Sequence, residues 1–358
     1  MSESSILHVV SYDVSRGAER YARSLVEALN RRGPDRHLLM TMFQGDEASL
    51  DPDFALDVPR GTLRRVGFDP RVIRRMRRTV RELAPRAVVA HGGEPAKYAA
   101  IALRGLAPYA YLVIGSTHPK LGNPVRRAMR KLYLTRAAAV VAVSASLAAD
   151  LVAEEPTLAP KTRVIPNGRD PETYRPGSGD RGASPRILFI GHLEEQKRPL
   201  LFVEAVGELK RRDCTLDAMI VGDGPMRADV EERARSAGVE VLGARDDVPA
   251  LLANADLLVA TSRPPEGLPG VLIEAGLSGV AAVTTDVPGA RDVVEDGVTG
   301  MVVPVDDQAG LVDSVESLLR DPDRRKEMGR AARERCLRLF TLDATTDEWD
   351  EVMRGMTS

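Results

Sequence analysis

The sequence predicts an α/β protein built from two doubly wound, parallel-sheet domains. Three observations predict it: short apolar runs that alternate with helical patterns, a Gly-, Pro- and Ser-rich segment near mid-chain, and a change of charge sign at that segment. The chain has 358 residues, long for a single core. Residues 1–180 hold 28 Lys+Arg and 19 Asp+Glu, a balance of +9, whereas residues 181–358 stand at −11. A charge split between halves points to two domains with different partners.

The first series of strand-like runs is ILHVV (6–10), HLLMTMF (37–43), AVVA (87–90), YLVIG (111–115) and AAVVAV (138–143). Between the first two, Ala18, Tyr21, Ala22, Leu25, Val26 and Leu29 recur at helical spacing and stop at Gly33-Pro34. The segment RPGSGDRGASPR (175–186) is the expected linker. A second series follows: RILFIG (186–191), AMIVG (218–222), VEVLG (239–243), LLVA (257–260), AAVTT (281–285) and MVVPV (301–305). Most of these runs are apolar throughout rather than alternating, as strands buried on both faces of a parallel sheet require. RAARERCLRLF and TLDATTDEWDEVM then read as two helices separated around Thr341-Leu342. Two Rossmann-like domains facing across a cleft are expected, one over 1–176 and one over 177–340.

Composition narrows the classes. With 43% hydrophobic and 28% charged residues the chain is a folded protein, not a disordered one. No apolar stretch reaches membrane-spanning length, and MSESSILHVV lacks the features of a secretion signal. Cys214 and Cys336 match no metal or redox spacing. A cytoplasmic protein is expected. RVIRRMRRTVRELAPR (71–86) and RRAMRKLYLTR (126–136) interleave arginines with apolar residues. Such helices can lie on an anionic membrane at the inner face, or they are packed helices with a solvated arginine side. Arginine outnumbers lysine 43 to 7, so composition alone accounts for part of this pattern. The DPD of residues 51–53 is read as a surface turn, not a metal site. Among the histidines, His8 and His37 lie inside strand runs and read as structural, and His91 stays open.

In doubly wound sheets, ligands bind beyond the carboxyl ends of the strands. The loop after LLVA reads SRPPEGLPGVLIEAGLSG (262–279) and sets Glu266 eight residues before Glu274. On one helix the two would stand about 80° apart, a loose pairing. The alternative is a loop carboxylate followed by a helix that carries the other. A helix starting near Pro269 would offer free N–H groups at Gly270, Val271 and Leu272, an anion site, with Glu274 in the second turn. A carboxylate beside an anion site is unfavourable unless it binds hydroxyl donors, such as those of ribose or a sugar. Lys197, after RILFIG, adds a cation for phosphates.

Six stretches then resemble, in order, the family 4 retaining glycosyltransferases of the GT-B fold: GAERYARSLVEALNRRG, STH (116–118), VIPNGRD (164–170), GHLEEQKRP, IVGDGPMR and EGLPGVLIEAGLSG, with DVPGARDVVEDGVTGMVVP (286–304) continuing the last. The resemblance implies that Glu274 binds the donor ribose and Glu266 the hydroxyls of the transferred sugar. It implies that Lys197 holds the diphosphate, that Gly17 brings backbone near the phosphates, and that His118 sits by the sugar. The alternative for His118 is a loop histidine bonded to backbone. The last segment, 341–358, is implied to cross back to the N-terminal domain with Trp349 as a docking residue.

The implied reaction moves a sugar from a nucleoside-diphosphate sugar, UDP or GDP by expectation, to a hydroxyl of a carbohydrate, lipid-linked or small-molecule acceptor. No permanently bound cofactor, no metal and no nucleic acid partner are expected. Three departures stand out: Gly191-His192 where the family has Gly-Arg, Arg16 where it often has glycine, and Pro288-Gly289 where it often has Gly-Gly. His192 is expected to be cationic in the donor complex, helped by Arg198. The other readings are a non-catalytic sugar-nucleotide-binding partner subunit and a GT-B-type sugar-nucleotide hydrolase or epimerase.

Overall fold

The structure, a computed structural model of the chain, describes residues 4–13, 17–45, 50–59, 68–115, 124–177, 184–264 and 266–356. It divides into two units: Met1–Gly168 together with Leu342–Ser358, and Arg169–Thr341.

The first unit runs β1 (Ser5–Tyr12), α1 (Gly17–Arg32), β2 (Arg36–Phe43), β3 (Phe54–Val58), α2 (Pro70–Leu83), β4 (Ala87–His91), α3 (Gly93–Ala102), β5 (Tyr109–Val113), α4 (Pro124–Arg136), β6 (Ala139–Ala142), α5 (Ala145–Glu154), a 3₁₀ helix (Pro156–Lys161) and β7 (Thr162–Val164). Its strands form a parallel sheet in the order β3-β2-β1-β4-β5-β6-β7. The central strands are withdrawn from water on both faces, with Ile6, Leu7, Val88, Val89 and Val140 at 0% exposure. That burial is the reason their sequences carry no polar alternation.

The second unit runs β8 (Arg186–Ile190), α6 (Pro199–Arg211), β9 (Asp217–Val221), α7 (Arg227–Ala237), β10 (Glu240–Gly243), α8 (Val248–Ala253), β11 (Leu257–Ala260), α9 (Gly270–Leu277), β12 (Ala281–Thr285), α10 (Ala290–Val293), β13 (Gly300–Val303), α11 (Gln308–Arg320) and α12 (Pro322–Leu339). Its parallel sheet has the order β10-β9-β8-β11-β12-β13. Phe189, Phe202, Val206, Ile220, Val283 and Leu318 lie in one apolar cluster between this sheet and its helices. The last helix, α13 (Leu342–Gly355), belongs to the first unit and packs on α1. There Trp349 is fully buried, and its indole N–H donates to the Tyr21 hydroxyl at 3.2 Å.

All eleven apolar runs singled out in the sequence are strands. Among the described residues, two further strands lack such a run. β3 reads FALDV, an edge strand with alternate residues exposed, and β7 is three residues long and mostly exposed. The basic segment of α2 is an amphipathic helix. Asp69 caps it by accepting from the Arg71 N–H at 2.9 Å, and Val72, Met76 and Val80 are buried. Arg75 donates to the carbonyls of Leu56 and Asp57, and Arg77 to those of Ala102 and Arg104. Part of the arginine face therefore ties α2 to neighbouring backbone, while Arg74, Arg78 and Arg81 are exposed. Asp53, in the DPD turn, accepts from the Leu39 N–H at 2.8 Å.

Strand order also brings together three histidines that are far apart in sequence. His8 on β1 lies 3.0 Å from His91 on β4 through its Nδ1, and 3.0 Å from His37 on β2 through its Nε2. Burial lowers all three below the ordinary imidazole pKa, His37 to about 4 and His91 to about 3. A neutral imidazole has one donor and one acceptor, which is what a head-to-tail chain of three uses.

Candidate functional site

In both sheets the strand order reverses at one place, between β1 and β4 in the first unit and between β8 and β11 in the second. Loops leaving the carboxyl ends of the two strands that flank such a reversal diverge and leave a crevice. In the second unit these are the loop after β8, carrying His192, Lys197 and Arg198, and the loop after β11, carrying Glu266 and leading into α9.

The β8 loop is held by backbone contacts. The Leu193 N–H donates to the Asp223 carbonyl at 2.9 Å, and the Met226 N–H to the Leu193 carbonyl at 2.9 Å. This close approach needs glycine: a Cβ on Gly222 would meet the Gly191 carbonyl, and Gly222 has φ +142. Thr261, at the end of β11, joins the two loops. Its hydroxyl donates to the Lys197 and Arg198 carbonyls at 2.8 and 2.9 Å. The Arg263 N–H adds a bond to the Gln196 carbonyl at 2.8 Å.

On this frame Lys197 donates to Glu266 Oε1, linking side chains 69 residues apart. The Glu266 side chain is 8% exposed, and its Oε2 is buried with no hydrogen-bond partner among the described residues. A buried carboxylate oxygen left unmatched costs free energy unless a ligand donor completes it. The loop bearing Glu266 is backed by Gly289, whose φ of +81 and close approach to the Gly267 carbonyl and the Leu268 Cα leave no room for a side chain.

Helix α9 starts at Gly270, so Glu274 lies in its second turn and the two glutamates stand on a loop and a helix. Pro269 occupies the N-cap and offers no side-chain cap. One expectation fails here. The Leu272 N–H donates to the Pro269 carbonyl at 3.0 Å, so it is not free for an anion, which leaves Gly270 and Val271 of the three. The cause is a tight first turn, in which the third N–H closes on the cap residue as a 3₁₀ contact. Glu274 Oε1 accepts from Arg169 Nε at 2.8 Å, and each side chain is 16% exposed.

The remaining residues are placed as follows. His192 is exposed and lies close enough to Asp223 to favour that carboxylate's charged form, though the Gly224 N–H and Arg227 do more. Arg198 occupies the left-handed N-cap of α6, donates to the Val305 carbonyl and lies 3.6 Å from Asp306. Gly17 opens α1 with nothing within 4 Å of where a Cβ would stand. His118 and Arg16 lie outside the described residues. Two residues were not singled out in the sequence: Thr261, because a threonine ending an apolar run carries no local signal, and Arg169, whose partner lies 105 residues away. Among the described residues no group of three or more His, Cys, Asp or Glu side chains is arranged to hold a metal ion.

The fold of the chain is shared with solved structures. The chain is similar to HepE of Anabaena, solved in complex with UDP-glucose, with a TM-score of 0.82 at 20% identity, covering 98% of this chain and 99% of that one. Sucrose-phosphate synthase of Thermosynechococcus elongatus gives 0.81 at 20% identity, covering 98% of both chains. These likenesses establish the GT-B fold. Among curated proteins, an undecaprenol-linked α-1,4-N-acetyl-D-galactosaminyltransferase of Campylobacter jejuni is 35% identical over 167 residues, 46% of each chain. The α-D-kanosaminyltransferase of Streptomyces kanamyceticus is 32% identical over 186 residues, 50% of this chain and 47% of that protein. The α-maltose-1-phosphate synthase of Mycolicibacterium smegmatis is 27% identical over 297 residues, 74% of both. The chain thus spans about half the length of the first two curated relatives it matches. The family model described as Glycosyltransferase Family 4 matches residues 15–173, and that described as Glycosyl transferases group 1 matches residues 184–321. With two glycosyltransferase models matched in succession along one GT-B chain, this protein belongs to the group 1, family 4 glycosyltransferases.

Proposed function

We propose that the chain is a retaining glycosyltransferase that moves a sugar from a nucleoside-diphosphate sugar, with UDP or GDP as the nucleotide, to a hydroxyl acceptor. The observation that carries this reading is the pair Glu266 and Glu274, each ion-paired to a cation from another segment. Glu274 receives the ribose hydroxyls, and the unmatched Oε2 of Glu266 receives a hydroxyl of the transferred sugar. Lys197, His192 and the α9 N–H groups of Gly270 and Val271 balance the charge that develops on the leaving diphosphate. Arg198 supports this loop, and Gly17, at the start of α1, contributes backbone to phosphate binding. His118 orients the sugar. The C1–O bond to the diphosphate breaks as the acceptor oxygen bonds to C1 on the same face, and the acceptor proton passes to the departing phosphate.

The second unit, Arg169–Thr341, is the donor half. The first unit, which includes Leu342–Ser358, receives a carbohydrate, lipid-linked or small-molecule acceptor. Contact with an anionic membrane through the exposed arginines of α2 fits a lipid-linked acceptor, and a cytoplasmic location fits the thiols and the donor. No helix among the described residues is long and apolar enough to cross a membrane. Metal is not required in this scheme, because cationic side chains do its work; activity in excess EDTA tests that point.

The deciding experiment is a thermal-shift panel of UDP, GDP, ADP and TDP with their common sugars, on wild type and Glu274→Ala. A shift specific to one nucleotide and lost in the variant supports the reading and identifies the base. No shift with any of them favours a non-catalytic partner subunit.

A further inference from the structure

Arg169 is the first residue of the second unit, and its backbone is fixed. Its N–H donates to the Phe340 carbonyl at 2.8 Å, and it forms a parallel bridge with Thr341. From that anchor the side chain reaches Glu274 Oε1 through Nε at 2.8 Å, with both side chains 16% exposed. The rest of the guanidinium lies against the first residue of α9. A Cβ on Gly270 would run into Nη2 and stand 3.3 Å from Cζ, so glycine at this position leaves the room the arginine uses. Glu274 Oε2 has no hydrogen-bond partner among the described residues and is not among the buried unmatched atoms. One oxygen of the carboxylate is therefore occupied and the other is open.

We propose that Arg169 is a positioning residue for the donor's ribose: it fixes the Glu274 carboxylate by one oxygen, so that the other is presented to a ribose hydroxyl. The inference rests on the reading of Glu274 as the ribose carboxylate. It answers a difficulty inherent in that reading, since a carboxylate next to a diphosphate site repels the ligand it should hold. The guanidinium offsets that charge, and its Nε–H bond to Oε1 restrains the carboxylate. A carboxylate held in advance loses little further freedom when ribose binds, so its hydrogen bond is expressed more fully as affinity.

The test compares the affinities of UDP and GDP with those of their 2′-deoxy and 3′-deoxy counterparts. Calorimetry would be run on the full-length wild type, Glu274→Gln, Arg169→Ala, Arg169→Lys and the Arg169→Ala/Glu274→Gln double variant. The expected result is a preference of roughly tenfold or more for the ribonucleotide in wild type. That preference collapses towards one in both Glu274→Gln and Arg169→Ala and returns in part in Arg169→Lys. The double variant discriminates no less than Glu274→Gln alone. If Glu274→Gln abolishes the preference and Arg169→Ala keeps it, even with a lower melting temperature, Arg169 is only a structural clip and the proposal is overturned. If Glu274→Gln keeps the preference, or wild type binds none of these nucleotides saturably, the ribose reading itself falls and takes the proposal with it.

Discussion

Lys197 and Glu266 form a pair of unequal partners: the lysine side chain is 24% exposed, the glutamate 8%. Removing the lysine leaves a carboxylate charge with little water to replace it, whereas removing the glutamate's charge leaves an ammonium that can still hydrate. Breaking a buried pair from one side costs about 3–5 kcal/mol. Lys197→Ala is therefore expected to lower the melting temperature more than Glu266→Gln does. Both should reduce kcat/KM for transfer by about a hundredfold or more, which steady-state kinetics with the identified donor would check. The three histidines give a second prediction. Burial holds His37 at about 4 and His91 at about 3, with His8 also well below its ordinary value. Their folded-state values are lower than their unfolded values, so below about pH 6.5 the unfolded chain takes up protons that the folded chain refuses. The first unit should lose stability steadily from about pH 6.5 down towards pH 4, read as hydrogen exchange on β1, β2 and β4. His91→Gln should flatten that slope; an unchanged slope would mean that other groups set it.

At the scale of elements, Gly289 supports the loop that holds Glu266. An alanine there would face both the left-handed backbone at φ +81 and the Gly267 carbonyl. Gly297 has a similar φ of +77 with nothing within 4 Å, so Gly297→Ala carries the backbone term alone, about 1–2 kcal/mol. Gly289→Ala should destabilise the second unit by more than that, and it should also weaken binding of the donor nucleotide, as chemical denaturation and calorimetry would register. Legibility follows the same division into local and distant causes. The buried strands could be read because double-sided burial forces long apolar runs, whereas β3 and β7, short and half-exposed at the sheet edges, have none. Glu266, Glu274 and Lys197 could be read because turn residues and a helix start surround them. Arg169 could not, since nothing in VIPNGRD states that its partner lies 105 residues on. The same holds for the His8–His37–His91 chain, which exists only because β1 sits between β2 and β4. The Leu272 N–H shows a finer limit: a helix start is visible in sequence, but how tightly its first turn closes is not.

For the whole molecule, the main fact is that the first unit is discontinuous in sequence and the second is not. Helix α13 is fastened to α1 by the fully buried Trp349 and by Arg32, which donates to the Asp343 carbonyl at 3.0 Å and to Thr346. Trp349→Ala should cost the first unit about 3–5 kcal/mol. In hydrogen exchange this should appear as faster exchange in β1 and α1, with β8 and β12 unchanged; an equal loss in both units would sink the idea that Trp349 serves the first unit alone. The arrangement also orders events at the ribosome. Residues 169–341, a stretch of 173, emerge between the body of the first unit and its last helix. At about 5–20 residues per second, the nascent first sheet waits roughly 10–35 s for α13. During that interval the second unit can finish folding while Tyr21 and its neighbours on α1 still lack their cover. A message cut short anywhere in that stretch yields a first unit with its α13-docking face bare, a form that chaperones and proteases can tell from the finished protein.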